Sequence, residues 1–176
     1  MLLRKLLANE RLEWMSNAAL ALGRGTKGMI KETEQLDLAM LPLLGTRAKR
    51  TRTITEHDIE HFAEVSGDHN PLHLDEAYAA QTLFGERVAH GFLTASLISA
   101  VIGNDLPGPG TIYLGQTLKF LAAVHIGDTL TVSVEVIGVR EEKQLLTLRT
   151  DCINQHGTLV ITGEAFVKYS RESGAI

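Results

Sequence analysis

Residues 92–102, FLTASLISAVI, are the stretch of the 176-residue sequence that decides the fold. Every residue in this stretch is apolar or small, and Thr94, Ser96 and Ser99 add hydroxyl groups. A helix that is apolar on all sides is typical of a protein interior. We therefore expect a buried central helix, which opens at His90-Gly91 and is covered by other elements.

The sequence after this helix changes to the pattern of β-strands. Residues 130–136 alternate apolar and polar side chains, which favours a half-buried strand. Strands are expected over 112–121, 129–140, 144–153 and 159–169, with short turns between them. Strands joined by short turns pair antiparallel. A buried helix followed by such a meander predicts an α+β hot-dog fold, in which an antiparallel sheet curls around the helix.

The domain organisation is expected to be one principal domain with an appendage, since 176 residues are compatible with a single core. The apolar residues of 2–22 have the spacing of an amphipathic helix, and glycines and a proline interrupt the chain after it. We expect an N-terminal helical extension and linker over residues 1–45. The hot-dog domain then covers residues 46–170, followed by a tail at 171–176.

The start of the main domain contains a strand and two helices. Residues 47–55 alternate basic and hydroxyl side chains, as in an exposed or edge strand. A helix is expected over residues 56–65, capped by Thr55. A second short helix is expected to begin at Asp75 and to stop at Gly85, because aspartate favours helix starts and glycine favours helix ends.

Charge and composition argue against several classes of partner. A net charge of -4 gives no general attraction to nucleic acid or anionic membranes. No apolar run reaches the roughly 20 residues that span a bilayer, and Arg4-Lys5 interrupt the first leucines. Cys152 is the single cysteine, so it cannot form an intramolecular disulfide. We expect a cytoplasmic protein that binds neither nucleic acid nor membrane.

The segment Ser66-Gly67-Asp68-His69-Asn70-Pro71-Leu72-His73-Leu74-Asp75 concentrates titratable groups at a bend. Glycine and asparagine favour a turn, and Pro71 disfavours helical geometry at Asn70. A carboxylate and an imidazole held close together can position a water molecule and transfer its protons. Asp68 and His73 are therefore candidates for catalysis. The alternative is that Asp68 and Asn70 only form the turn and that His73 is an ordinary surface or core residue.

The same segment, read together with Arg87-Val88-Ala89-His90-Gly91, resembles the signature of the MaoC-like (R)-specific enoyl-CoA hydratases. The family pattern is Asp-x-Asn-Pro-x-His, followed by His-Gly at the start of the central helix, and this sequence matches it at every position. Residues 106–108 and 112–120 also resemble the short single-domain hydratases that supply polyhydroxyalkanoate synthesis. The resemblance covers roughly residues 47–169 and implies a hot-dog enzyme of fatty acid metabolism.

The resemblance implies roles for the catalytic pair and for the helix start. Asp68 and His73 hold the water that adds to a trans-2-enoyl thioester, giving an (R)-3-hydroxyacyl product by syn addition. His73 is assigned as the base and Asp68 orients the water or protonates the α-carbon, although these roles could be exchanged. Because negative charge develops on the thioester oxygen, a donor is needed there. Gly91, at a helix N-terminus, is the candidate, although it could instead serve tight packing.

Other residues are expected to support the site. Asn70 either orients His73 or the water, or simply forms the bend. His90 adjoins Gly91, and Ser99 matches a family position that lines the active site, although its hydroxyl could instead bond the preceding helical turn. No cofactor is expected. No metal is expected either, because the clustered histidines are not accompanied by cysteine: His57, His61, His69 and His73.

The basic tract at the start of the domain has two interpretations. It consists of Arg47, Lys49, Arg50 and Arg52. These side chains could approach the phosphates of CoA or of a carrier-protein prosthetic group. They could equally form a solvated strand face.

Three other functions remain open on the same fold. A (3R)-hydroxyacyl carrier-protein dehydratase uses the same chemistry in the opposite direction, so the substrate could be carried by acyl carrier protein instead of CoA. A catalytically inactive acyl-binding module and a thioesterase are further alternatives, which the intact Asp68 and His73 disfavour. In the family, sheets join edge to edge, so the resemblance also implies a homodimer.

Overall fold

The sheet has five strands in the order β1-β3-β4-β5-β2, and all neighbouring strands are antiparallel. The computed structural model describes residues 43–169. The strands are β1 (Arg47–Thr53), β2 (Ile112–Phe120), β3 (Thr129–Arg140), β4 (Leu145–Ile153) and β5 (Leu159–Lys168). The helices are α1 (Glu56–Ser66), α2 (Pro71–Leu74), α3 (Glu76–Ala79) and α4 (Gly91–Asn104), with a 3₁₀ turn at Glu141–Lys143. This is the α+β hot-dog fold that the sequence predicts.

The centre of the sheet forms because its strands alternate buried and exposed residues. In β3, Leu130, Val132, Val134 and Val136 are buried, and the residues between them are only partly buried. β3, β4 and β5 follow one another through short turns, as predicted. β2 lies next to β5 at one edge, and β1 lies next to β3 at the other edge.

The helix α4 packs on the sheet, mainly against β3. Leu93, Ile98 and Val101 are buried in the core that the helix shares with the strands. Phe92 is 66% exposed, and Ser99 is also exposed. The expectation of a helix buried on all sides is therefore wrong for the single chain, because one sheet covers only one side of a helix.

The local predictions before α4 hold in part. Thr55 caps α1 through a capping box, as expected, and Ile59 of that helix is buried. Val65, near the end of α1, is 88% exposed. Asp75 caps α3 by accepting a hydrogen bond from the backbone N–H of Tyr78. The predicted extension of this helix to Gly85 is wrong, because the helix ends at Ala79 and turns follow from Ala80.

The predicted extension over residues 1–45 lies outside the described residues except for its last three, and the tail at 171–176 lies wholly outside them. Across the part of the chain that is described, the structure contains no helix with the length and apolar character needed to cross a membrane.

Candidate active site

His73 is held by the bend that carries it. The side-chain oxygen of Asn70 accepts a hydrogen bond from the backbone N–H of Leu72 at 3.1 Å and thereby caps α2. His73 is 9% exposed, and its Nδ1 lies 2.7 Å from the carbonyl oxygen of Val88. A carbonyl oxygen only accepts hydrogen bonds, so Nδ1 carries the proton and donates it. In the neutral ring, Nε2 is then free to accept a proton.

Asp68 lies in the turn between α1 and α2. Gly67 ends α1 with a left-handed backbone (φ 76°), a conformation that glycine adopts without strain. The exposed carboxylate of Asp68 accepts a hydrogen bond from the N–H of Asn70 at 3.3 Å. The turn roles proposed for Asp68 and Asn70 are thus present in the structure, and they bring the carboxylate to the histidine.

The three titratable groups of the motif meet at one point. Potential ligand atoms of Asp68, His73 and His90 lie within 4.8 Å of one another, and this is the metal-compatible cluster found within residues 43–169. Such a cluster also suits proton transfer through one water molecule. The expectation that the site uses no metal stays a prediction.

His90 is the most buried member of this cluster, with 1% of its surface exposed. Its Nε2 donates a hydrogen bond to the backbone carbonyl of Asp68 at 2.9 Å. Its ring centroid lies 3.8 Å from that of His73. Burial lowers the pKa of His90 below its ordinary value of 6.5, and the charge of His73 acts in the same direction. His90 is therefore neutral at neutral pH.

Gly91 begins α4 beside a cavity of about 360 Å³. The first backbone N–H groups of a helix have no partner within the helix, so they can bind an oxygen atom. A Cβ at Gly91 would lie 2.9 Å from the ring of Phe120, so only glycine fits without displacing that ring. The cavity is mainly apolar and is lined by Leu72, His73, Phe84, Val88, Ala89, Gly91, Thr94, Phe120, Leu121, Ala122, Ala123, Val124 and Ile161.

The structure does not bring Ser99 to this cavity. Ser99 lies on the exposed side of α4 and is absent from the cavity wall of the single chain. Thr94 was not predicted as a site residue, but it is buried, lies one helical turn after Gly91 and lines the cavity. The spacing of three residues from Gly91 could have indicated it. Residues 120–124 also line the cavity, but no local pattern in the sequence indicates that they do so.

The basic tract of β1 is largely paired with acidic side chains. Arg50 forms a two-point ion pair with Asp105, and Arg52 pairs with Asp58. Arg47 contacts Glu135 at 3.0 Å. Three of the four cations thus have acidic partners, which favours the solvated strand face over a phosphate site.

Comparisons with known proteins agree with the fold and the motif. The family described as MaoC like domain matches residues 44–155. The chain is 52% identical to the (R)-specific enoyl-CoA hydratase of Rhodospirillum rubrum over 123 residues, covering 70% of this chain and 85% of the relative. It is 46% identical to the (R)-specific enoyl-CoA hydratase of Aeromonas caviae, covering 71% and 93%.

Among solved structures, the chain is similar to the unliganded R-hydratase PhaJ1 from Pseudomonas aeruginosa. The TM-score is 0.70 and the sequence identity is 50%, covering 73% of this chain and 83% of that structure. The length of these matches and the intact motif together establish that the chain belongs to the MaoC-like domain family.

Proposed function

We propose that this protein catalyses the reversible (R)-specific hydration of trans-2-enoyl-CoA to (R)-3-hydroxyacyl-CoA. One observation carries this proposal: the Nδ1–H of His73 is bound to the carbonyl of Val88 at 2.7 Å, so Nε2 is available as a base beside Asp68 and the cavity. The names of the Rhodospirillum and Aeromonas relatives support the substrate and the stereochemistry.

The reaction needs a base and an acid on one face of the double bond. His73 Nε2 takes a proton from water as the water oxygen bonds to C3 of the substrate. A proton is then delivered to C2, through Asp68 or from the protonated His73. Addition of both groups from one side gives the syn product. The reverse sequence removes water, so the same site serves hydration and dehydration.

The start of α4 stabilises the charge that develops during this addition. As water adds, negative charge accumulates on the thioester carbonyl oxygen. The N–H of Gly91 and the positive end of the helix dipole suit that oxygen. The acyl chain then lies in the apolar cavity, between residues such as Leu72 and Phe120.

A homodimer is part of this proposal. The edge strand β2 and the residue after it expose apolar side chains: Ile112, Tyr113, Leu114, Phe120 and Leu121. An unpaired edge with such a surface is a site for pairing with another strand. A second copy would cover this edge. Sedimentation velocity of the full chain should give twice the monomer mass, and a monomer at micromolar concentration would contradict the dimer.

We also propose that residues 1–45 are peripheral to catalysis, because the family match begins at residue 44. A chain beginning at residue 44 should remain folded and active. Loss of the fold or of all activity would instead assign the extension to the core or the interface. The cytoplasmic location expected from the sequence belongs to the same proposal and can be checked by cell fractionation.

Hydration of crotonyl-CoA by the full chain tests the proposed catalytic pair. Asp68→Asn and His73→Ala should each lower kcat by about 100-fold or more, with unchanged circular dichroism. The double variant should be little worse than the poorer single variant, because both residues serve one proton-transfer unit. Near-normal turnover in either variant, or an (S) product, would contradict the assignment.

Parallel assays with carrier-protein thioesters distinguish the substrate carrier. A higher kcat/KM on the CoA thioester supports the proposal, and a clear preference for the carrier-protein substrate would make the protein a (3R)-hydroxyacyl carrier-protein dehydratase. Binding of enoyl-CoA without any hydration would instead indicate an inactive acyl-binding module.

A further inference from the structure

We propose that His90 is a positioning residue, which fixes Asp68 relative to His73 by holding the backbone of the first and packing on the ring of the second. This inference rests on the proposed function, because the importance of that spacing depends on the pair acting on one water molecule.

The hydrogen bond from His90 joins the turn to the central helix. The other hydrogen bonds described for residues 67–70 are local, because each joins residues no more than four positions apart. The bond from His90 Nε2 to the carbonyl of Asp68 spans 22 positions of the chain. Among the described contacts it is the long-range hydrogen bond that fixes the exposed turn.

The same short segment also holds His73. Its Nδ1 donates to the carbonyl of Val88, two residues before His90, and its ring lies 3.8 Å from the ring of His90 with an angle of 35° between their planes. Residues 88–90 therefore contact both members of the catalytic pair. Phe62 packs against His90 at 5.0 Å and further restrains the ring.

The protonation state of His90 suits this role. The carbonyl of Asp68 accepts only, so Nε2 of His90 carries the hydrogen. Its Nδ1 is buried and has no hydrogen-bond partner among the described residues, so a second proton there would leave an unpaired buried donor. Burial lowers the pKa of His90 accordingly. The ring can hold Asp68 without placing a positive charge against His73 when that residue takes up a proton.

Two substitutions separate the hydrogen bond from the ring. His90→Gln keeps an N–H that can reach the carbonyl of Asp68, and His90→Phe keeps a ring that can pack on His73. We expect His90→Phe to lower kcat for crotonyl-CoA by about 10- to 100-fold, since a misplaced catalytic group costs up to about that factor. KM should stay within about twofold, because a positioning residue acts on the transition state. His90→Gln should recover part of the lost kcat.

A double variant tests whether His90 acts through Asp68. In the Asp68→Asn background, His90→Phe should lower kcat by less than about threefold further, because the group it positions is already lost. His57→Asn serves as the matched control, because it removes an exposed imidazole of α1 and should leave kcat unchanged. Hydrogen exchange gives a readout independent of turnover: the amides of residues 67–70 should exchange faster in His90→Phe than in the unmodified protein.

The inference is overturned if both His90 variants keep normal kcat or if only KM changes. It is also overturned if His90→Phe lowers kcat by the same factor in the unmodified protein and in the Asp68→Asn background. Unchanged exchange at residues 67–70 would also overturn it, whatever reaction the protein catalyses. If His90→Phe does not fold, the kcat and exchange of His90→Gln alone decide the question. Normal turnover in Asp68→Asn and His73→Ala would instead refute the catalytic pair itself.

Discussion

Replacing Gly91 by alanine tests the proposed binding position of the thioester oxygen. The added Cβ would lie 2.9 Å from Cε1 and 3.1 Å from Cδ1 of Phe120, whereas ordinary contact begins at 3.4 Å. The ring of Phe120 must therefore move by about 0.5 Å, and this movement loses part of its dispersion contacts. Phe120 is 48% exposed in the single chain and borders the cavity, so its ring has open space into which it can move. We expect a stability loss of only about 1 kcal/mol or less.

The effect of this substitution on catalysis should be larger than its effect on stability. The methyl group would occupy the space beside the N–H that receives the developing oxyanion. Loss of one such donor costs about 100- to 1,000-fold in kcat, and partial misplacement costs less. We predict a decrease in kcat of about 10- to 100-fold for Gly91→Ala, with circular dichroism and melting temperature close to those of the parent protein.

Gly103→Ala is the matched control for this experiment. Gly103 lies in the same helix, α4, and a Cβ there would meet nothing within 4 Å. This variant should keep full activity and gain up to about 1 kcal/mol of stability from the helix preference of alanine. Near-normal kcat in Gly91→Ala would refute the reasoning, because the oxygen would then not require close approach to that N–H.

Three further predictions follow from buried groups and a close backbone contact. Gly163→Ala would place Cβ 1.8 Å from the backbone oxygen of Thr117, which the sheet holds in place. Urea titration should therefore show a decrease of roughly 3 kcal/mol or more in the free energy of unfolding. Burial raises the pKa of Cys152 to about 12, so the native protein should resist thiol reagents that label it at once after unfolding. The lowered pKa of His90 means that the unfolded chain binds a proton below about pH 6.5 that the native protein does not bind. The free energy of unfolding should therefore fall as the pH is lowered from about 7 to 5.5, and it should fall less in His90→Gln.

The local elements of this fold are readable from the sequence because they depend on near neighbours. The alternation in residues 130–136 indicates β3, and Thr55 indicates the capped start of α1. Gly91 was expected at a helix start and occupies it. The bend that carries Asp68 and His73 was also readable, since glycine and proline restrict the backbone around it.

The basic tract and the central helix show where local patterns were insufficient. The charges of Arg50 and Arg52 gave no sign of their acidic partners, and the partner of Arg50 lies 55 positions away. The composition of residues 92–102 suggested complete burial, yet the exposed side of α4 carries Phe92 and Ser99. Hydrophobicity measures the tendency of a side chain to be buried, and the surrounding elements decide whether a single chain can cover it.

The sequence by itself determined the hot-dog elements, the motif with Asp68 and His73, and the family. Only the tertiary structure decided that β2 closes the sheet beside β5, that residues 120–124 form a cavity wall, and that His90 contacts both members of the catalytic pair. The reason is physical. Helix caps, turns and strand alternation arise from interactions within a few residues, whereas strand order and the meeting of distant side chains depend on how the whole chain buries its apolar surface.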